Sequence, residues 1–527
     1  MDTLNVRGND NPNAINLGIT REFNLTGHLL SKALEEWPEN IAIVAPGRTV
    51  TFSELNNLVN KAGNFLLKHK VRIEERVVLL FEEGVDFLAL YLGCIKIGAV
   101  PVAIHKNFKL HELRYILDDT RASLAVVTAD IFLEVKNICK DLAWNTQIIV
   151  DKPNSNIAGA SLAEELEDMN NELNVAPTTT DDVALWIYTQ GTSGFPKATV
   201  HIHRSPLYVC QAYAQNFISL NREDIILSTS PIYSNLGIME KIFFPLCSGA
   251  TVLLRENYEL VEDLIDDINT HKPTVFFGDP NTYARILAQN SEDEPLEFPS
   301  LRLCISGGQT LPLSTQLIWE KHFLRNIIDG LSSTEELYTY ISNSTDKVRI
   351  GSVGKPINGY LVRLENKDGQ PVQPGQYGNL LVNGGSMAKE FWNKRKKSSR
   401  SILGTWLDTG DKCTIDEDGY FYFMGKKEDM IYIDGQWVSP LDVEDNLLRL
   451  PQVDQAAVVS AMDNSDRMHL RAYIVLRPNI EPSGETANAI KYAYNNNQPP
   501  YLQIKWIEFV PSLPYSINGK LQRYKLR

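Results

Sequence analysis

Tyr188–Lys197 reads YTQGTSGFPK and follows an apolar run with the pattern of a strand. Its two glycines let the backbone turn so that successive N–H groups can face an anion; Thr192 and Ser193 add hydroxyl donors and Lys197 adds a charge. Phosphate is the natural ligand of such a loop. The GxxxxGK[ST] spacing of a Walker A loop is absent, and a Gly/Ser/Thr/Pro cluster also serves as an ordinary surface turn, so on these residues alone both readings stand. His201 and His203 flank Ile202 just downstream; with no further ligands at a metal-binding spacing, a structural role on a strand is expected. Cys94, Cys139, Cys210, Cys247, Cys304 and Cys413 lie far apart with no CxxC pair, which argues against a disulfide framework or zinc site and for buried or idle thiols.

The elements that must position this loop follow an alternating rhythm. Val77–Phe81 has a strand pattern, Val85–Lys96 a helical one, Val100–Ile104 strand, Leu110–Asp118 helix and Leu124–Val127 strand. The rhythm resumes with strand Val183–Thr189, a helix around Ser205–Ile218, strands Ile225–Leu227 and Ala250–Leu254, helix Leu260–Asn269 and strand Thr274–Phe277. Such alternation predicts an α/β protein with two β-α sheet subdomains. The polar segment Lys152–Thr180 reads as a surface loop. Beyond Gly351, short alternating runs such as Tyr360–Leu364 and Asn379–Val382 predict a small β subdomain. The charged run Gly425–Asp429 then separates a large N-terminal domain, 1–428, from a smaller α+β C-terminal domain, 429–527.

At 527 residues, with 43% hydrophobic and 22% charged, the chain suits a multidomain globular protein. A net charge of −14 opposes broad association with nucleic acid or anionic membranes. The N-terminal stretch is polar without an apolar signal core, and the greasy stretch Phe87–Ile104 is broken by Lys96, Gly98 and Pro101. It reads as a core helix followed by a strand rather than a membrane span, and a cytoplasmic location is expected.

Further segments appear in order after the glycine loop: SGGQTLP at Ser306–Pro312, DGLSSTEE at Asp329–Glu336, WLDTGD at Trp406–Asp411, GKKEDMIYIDGQWVSP at Gly425–Pro440 and LPYSINGKLQRYKLR at Leu513–Arg527. Together with YTQGTSGFPK they resemble the adenylate-forming superfamily of acyl- and aryl-CoA synthetases, amino-acid adenylation domains and firefly luciferase. GQWVSP and STEELYTYISN look most like benzoate-CoA ligase and its aryl-acid relatives. The resemblance implies ATP-dependent conversion of a carboxylic acid to an acyl-adenylate with release of pyrophosphate, then transfer to the phosphopantetheine thiol of CoA or of an acyl or peptidyl carrier protein. It also implies a mobile C-terminal domain.

Roles follow from the same resemblance. Thr189, Gly191, Thr192, Ser193, Gly194 and Lys197 match the loop that holds the leaving pyrophosphate. Glu335 matches the acid that holds Mg²⁺, and Thr334 a contact to the α-phosphate. Gly307, Gly308, Asp329 and Leu331 match the adenine segment and Asp411 the ribose-binding acid. Lys520 matches the lysine that bridges substrate carboxylate and α-phosphate, Asp429 the hinge, and Gly435 the channel for the pantetheine thiol. Asn235, Leu236, Gly237, Gly308 and Tyr338 match positions lining the acyl pocket.

Four positions depart from the pattern: Ala198 and Ser332 replace glycines, Lys426 replaces an arginine beside the hinge, and Ser234 stands where relatives carry an aromatic or histidine. Lysine keeps the charge at 426 but loses the planar fork that arginine offers a ribose. Ser234–Gly237 holds no carboxylate for an α-ammonium, which disfavours an α-amino acid, although Glu240 lies close in sequence; the resemblance to aryl-acid ligases implies a small aromatic or cyclic acid, with a short aliphatic acid next. Glu240 reads as an exposed helix acid; Trp186, Trp437 and Trp506 read as core aromatics.

Overall fold

The computed structural model describes residues 14–105, 108–154, 157, 160–189, 195–255, 258–291, 295–465, 467–496, 498–515 and 521–527. Two seven-stranded sheets dominate. In the first, Val183–Thr189, Val100–Ala103, Arg76–Leu80, Leu124–Val127 and Gln147–Val150 run parallel. Lys197–Ile202 joins its edge antiparallel to Val183–Thr189, with Glu390–Phe391 outside it. In the second, Ile327–Ile328, Leu303–Ser306, Val275–Gly278, Ile225–Ser228, Thr251–Leu253 and Ile41–Ala45 are parallel, and Arg48–Thr51 closes the edge as a hairpin.

Side chains alternate between the faces of a strand, and here the alternation divides three cores. Val77, Leu79, Leu185 and Ile187 of the first sheet and Ile226, Val275, Phe277 and Ile305 of the second enter one central core shared by both. Their neighbours Val78, Leu80, Trp186 and Tyr188 face an outer core on the first sheet; Leu227, Phe276 and Cys304 face another on the second. Helices Leu25–Glu36, Phe52–Lys68 and Val85–Lys96 fill the central layer. Both faces of each sheet are therefore covered, which explains why the parallel strands read as nearly continuous apolar runs. Val85–Lys96 is buried at every residue but Asp86. The Lys96 amine donates to Asn60 Oδ1 at 2.6 Å and Asn56 Oδ1 at 3.3 Å, and burial lowers its pKa.

Past Asp329 come small antiparallel sheets, the larger built on Leu361–Glu365, Gly378–Asn383, Trp406–Ile415 and Phe421–Lys426. A separate core starts at Ile431 and is made by helices Pro440–Leu448 and Gly484–Asn495 on the sheet of Val453–Met462, Met468–Leu476 and Ile504–Phe509. No helix among the described residues is long and apolar enough to cross a membrane.

Three local expectations change. Lys152–Thr180 is not simply a surface loop: it holds helix Leu162–Glu167, whose Leu162 and Leu166 join the central core. Its start is written as the capping box Ser161–Glu164. The helix around Ser205–Ile218 is α only over Arg204–Val209 and continues as a π-helical turn over Cys210–Gln215. Trp437 is not a core aromatic. It is 44% exposed on the hairpin Ile431–Ile433/Gln436–Val438, against Tyr432 with ring centres 5.0 Å apart.

Candidate active site

Several of the residues singled out by type and spacing lie where parallel strands end. Thr189 closes Val183–Thr189, Gly307 and Gly308 follow Leu303–Ser306, and Asp329 follows Ile327–Ile328. The crevice outside the carboxyl ends of such strands is the usual ligand site of an α/β sheet. Thr189 Oγ1, Ser306 Oγ and Asp329 Oδ1 are buried there with no hydrogen-bond partner among the described residues. Asp329 is raised to about 8 by burial, against donation from the Gly330 and Leu311 backbones. Gly308 has φ of 84°, and a methyl group at Gly307 would come within 3.1 Å of Leu236. Leu331 lies on the short strand Gly330–Ser332 beside Asp329, as does Ser332.

Lys197 begins the strand Lys197–Ile202 and its ammonium donates to Glu335 Oε1 at 2.8 Å. Burial would raise the Glu335 carboxyl, but Lys197 and then Lys426 outweigh it and hold the group at about 2. Lys426 stands opposite Asp411 across paired strands, with Nζ 2.5 Å from Asp411 Oδ1. Burial disfavours the Lys426 charge, yet Asp411 and Glu335 raise its pKa. The lysine at this position is thus a cation tied to an Asp411 that is only 1% exposed. Thr334 is positioned from beneath: buried His201 hydrogen-bonds the Thr334 carbonyl at 2.8 Å through Nε2. Burial drops that imidazole to about 4 and keeps it neutral. His203 Nδ1 likewise accepts from Leu25 N at 3.1 Å, so both histidines are structural.

The predicted acyl-pocket residues cluster together. Asn235 Nδ2 donates to the Leu337 carbonyl at 3.1 Å and Asn235 Oδ1 accepts from Thr334 Oγ1 at 3.4 Å. Ser234, an unusual residue by the family pattern, caps the helix Asn235–Ile238, accepting from Gly237 N at 3.0 Å and donating to Pro231 O at 2.7 Å. A methyl group at Gly237 would fall 2.1 Å from Pro231 O, so only glycine fits. Tyr338 is 1% exposed, and its hydroxyl donates to Glu240 Oε1 at 2.8 Å, so it is already engaged within the protein.

Two acids escaped the sequence reading. Glu240 is not exposed: it is 2% accessible, accepts from Ser228 Oγ at 2.6 Å as well as from Tyr338, and burial raises its pKa. Its signal was an acid inside the apolar run GIMEKIFF, where a charge has to find partners. Glu336 is fully buried, accepts from Ser386 Oγ at 2.9 Å, and is pushed up to about 8 by burial. Nothing in its spacing marked it.

Asp429 binds Arg527 through Oδ1 at 3.1 Å and lies 3.7 Å from Arg523, which also pairs with Glu444 at 2.5 Å. Gly435 occupies the turn Asp434–Gly435, both residues at positive φ, as a two-residue hairpin turn of this hand requires. Gly191, Thr192, Ser193, Gly194 and Lys520 lie outside the described residues. No group of three or more His, Cys, Asp or Glu side chains that could hold a metal occurs among the described residues. A divalent cation at this site would take Glu335 plus oxygens supplied by a nucleotide, a donor set that suits Mg²⁺.

The two-sheet α/β fold carries the Lys197–Glu335 pair and is followed by a further core beyond Ile431, and comparison identifies its class. Residues 30–392 match the AMP-binding enzyme family and residues 442–520 the AMP-binding enzyme C-terminal domain. The chain belongs to the AMP-binding enzyme family. It is 32% identical over 540 residues to benzoate–CoA ligase of Thauera aromatica, covering 100% of both chains. It is also 32% identical over 492 residues to 4-hydroxybenzoate–CoA/benzoate–CoA ligase of Rhodopseudomonas palustris, covering 92% of this chain and 90% of that one. Among solved structures, the anthranilate CoA ligase AuaEII in complex with anthranoyl-AMP superposes with a TM-score of 0.90 at 30% identity, over 97% of this chain and 98% of that one.

Proposed function

We propose that this chain is an AMP-forming aryl-acid–CoA ligase working in the cytoplasm. The observation that carries the reading is the Lys197–Glu335 pair, held charged at 2.8 Å beside Thr334 at the sheet ends. In the first half-reaction a carboxylate oxygen attacks the α-phosphorus of ATP; the acyl C–O–P bond forms, the α–β anhydride breaks and pyrophosphate leaves. Two anions must meet, so fixed positive charge supplies much of the rate gain. Lys197 with Thr189, Gly191, Thr192, Ser193 and Gly194 would hold the departing pyrophosphate, and Thr334 and Lys520 the α-phosphate. Gly307, Gly308, Asp329 and Leu331 would border adenine and Asp411 the ribose, with Lys426 neutralising Asp411. Mg²⁺, held by Glu335, would add charge neutralisation. In the second half-reaction the CoA thiol attacks the acyl carbon and AMP leaves.

The relatives' acids are benzoate, hydroxybenzoate and anthranilate, and a small aromatic acid is the substrate class proposed here. Asn235, Leu236 and Gly237 would face its ring, with Tyr338 a buried wall rather than a donor to it. Residues 429–527 would move as a unit about Asp429, bringing Gly435 to the pantetheine channel. ATP–pyrophosphate exchange with benzoate, the three hydroxybenzoates, anthranilate and short aliphatic acids tests this, followed by CoA and carrier-protein acceptors. Exchange driven by an aromatic acid and thioester formation on CoA are expected. Exchange with no acid, or transfer to a carrier protein alone, would overturn the respective half.

A further inference from the structure

A second ammonium stands beside Lys197. Strand Glu390–Phe391 pairs antiparallel with Lys197–Ile202 in the register Glu390↔Val200 and Phe391↔Thr199, which carries the following helix, Arg395–Ser401, over the end of the strand where Lys197 sits. Phe391 is 2% exposed, and its ring centre lies 4.3 Å from Lys197 Nζ and 5.3 Å from Lys397 Nζ, so one aromatic supports both cations. The helix is tied down locally, since Ser398 Oγ accepts from Phe391 N at 3.0 Å. Burial and then the Lys197 charge both lower the Lys397 pKa, with Glu335 and Glu428 opposing. Like charges brought together cost free energy unless an anion joins them. Lys197 already holds Glu335, and a further anion would be drawn to the two ammoniums together.

We infer that Lys397 is a further binding residue for the pyrophosphate end of the nucleotide, acting with Lys197 on the same anion. The inference rests on the adenylation reading above, because the anion is the pyrophosphate which that reaction releases. A multiply charged, compact phosphate matches two ammoniums better than a single carboxylate would.

The test is direct titration of wild type, Lys397→Gln and Lys397→Arg with pyrophosphate and, separately, with AMP, alongside ATP–pyrophosphate exchange. The Gln variant is expected to weaken pyrophosphate binding, and to raise the pyrophosphate KM, by about tenfold. Its AMP affinity should stay within about twofold of wild type, and the Arg variant should recover most of the loss. Normal wild-type exchange with unchanged pyrophosphate affinity in the Gln variant overturns the assignment and leaves adenylation standing. A parallel fall in AMP affinity also overturns it, since that reports a displaced helix. Loss of pyrophosphate affinity in the Gln variant, in a chain whose wild type exchanges with no acid, supports Lys397 and sinks adenylation instead.

Discussion

The segment Ser333–Tyr338 borders two environments that treat a carboxyl group in opposite ways. On one side Glu335, 19% exposed at its side chain, faces the ammoniums of Lys197 and Lys426 and is held at about 2. On the other side Glu336, fully buried, faces the hydroxyl of Ser386, itself hydrogen-bonded to Tyr360, and sits at about 8. Glu240, 2% accessible, resembles Glu336: its partners include the hydroxyls of Ser228 and Tyr338 and burial raises it. The difference lies in the partners. A hydroxyl satisfies a lone pair without supplying charge, so desolvation decides; an ammonium supplies a full charge and overrides desolvation. Two adjacent residues of one type are thereby divided into an ionised group open to the crevice, Glu335, and a protonated one at its wall, Glu336.

The largest test of that division removes the charge from the open side. Glu335→Gln is expected to lower kcat/KM for adenylation by about 10²–10³-fold, read by ATP–pyrophosphate exchange. A loss of less than about threefold would mean that Glu335 is as structural as its neighbour.

The next test uses pH. A carboxyl whose folded pKa is raised keeps its proton in the native state while the unfolded chain has released it, so stability falls with rising pH between the two values. For Glu336 that window runs from the ordinary 4.5 to about 8, with a slope of ~1.4 kcal/mol per pH unit. Urea denaturation of Glu336→Gln should accordingly show a gain over wild type that is larger at pH 8 than at pH 5. Glu335 has the opposite sign: its depressed pKa contributes stability that is present above 4.5 and lost as pH falls toward 2. An equal gap between Glu336→Gln and wild type at both pH values would erase the contrast.

The smallest effect is expected at Glu240. Tyr338→Phe leaves Glu240 Oε1 without its hydroxyl donor and should cost about 1–3 kcal/mol of stability in urea titrations, with the KM for the acid nearly unchanged. A large change in that KM with intact stability would return the Tyr338 hydroxyl to a role in holding the substrate.

Much of the frame was legible because parallel strands covered on both faces must be apolar throughout: Leu124–Val127 and Val183–Thr189 fall where their patterns place them, as does the buried helix Val85–Lys96. Gly237 and Gly435 were marked by resemblance alone; that one is glycine because a side chain would meet Pro231 O, and the other sits at positive φ, is seen only in the structure. Less was legible where hydropathy alone misleads. Lys152–Thr180 is polar on average, yet two leucines one helical turn apart dock Leu162–Glu167 onto the core. Trp437 is apolar but belongs to an exposed hairpin.

By itself, then, the sequence determined the order of elements, the chemical types at the strand ends and the family to which they belong, because periodicity and turn chemistry are local. The tertiary structure alone decided which charges meet. Asp411 and Lys426 are brought together by strand register, Lys197 and Glu335 by a strand start that meets the turn between Gly330–Ser332 and Thr339–Ser342, and Lys197 and Lys397 by an edge strand that carries a helix back across the chain. Whether a carboxyl is ionised depends on those distant partners and on burial. Neither quantity is written in the residues beside it, as Glu335 and Glu336 demonstrate.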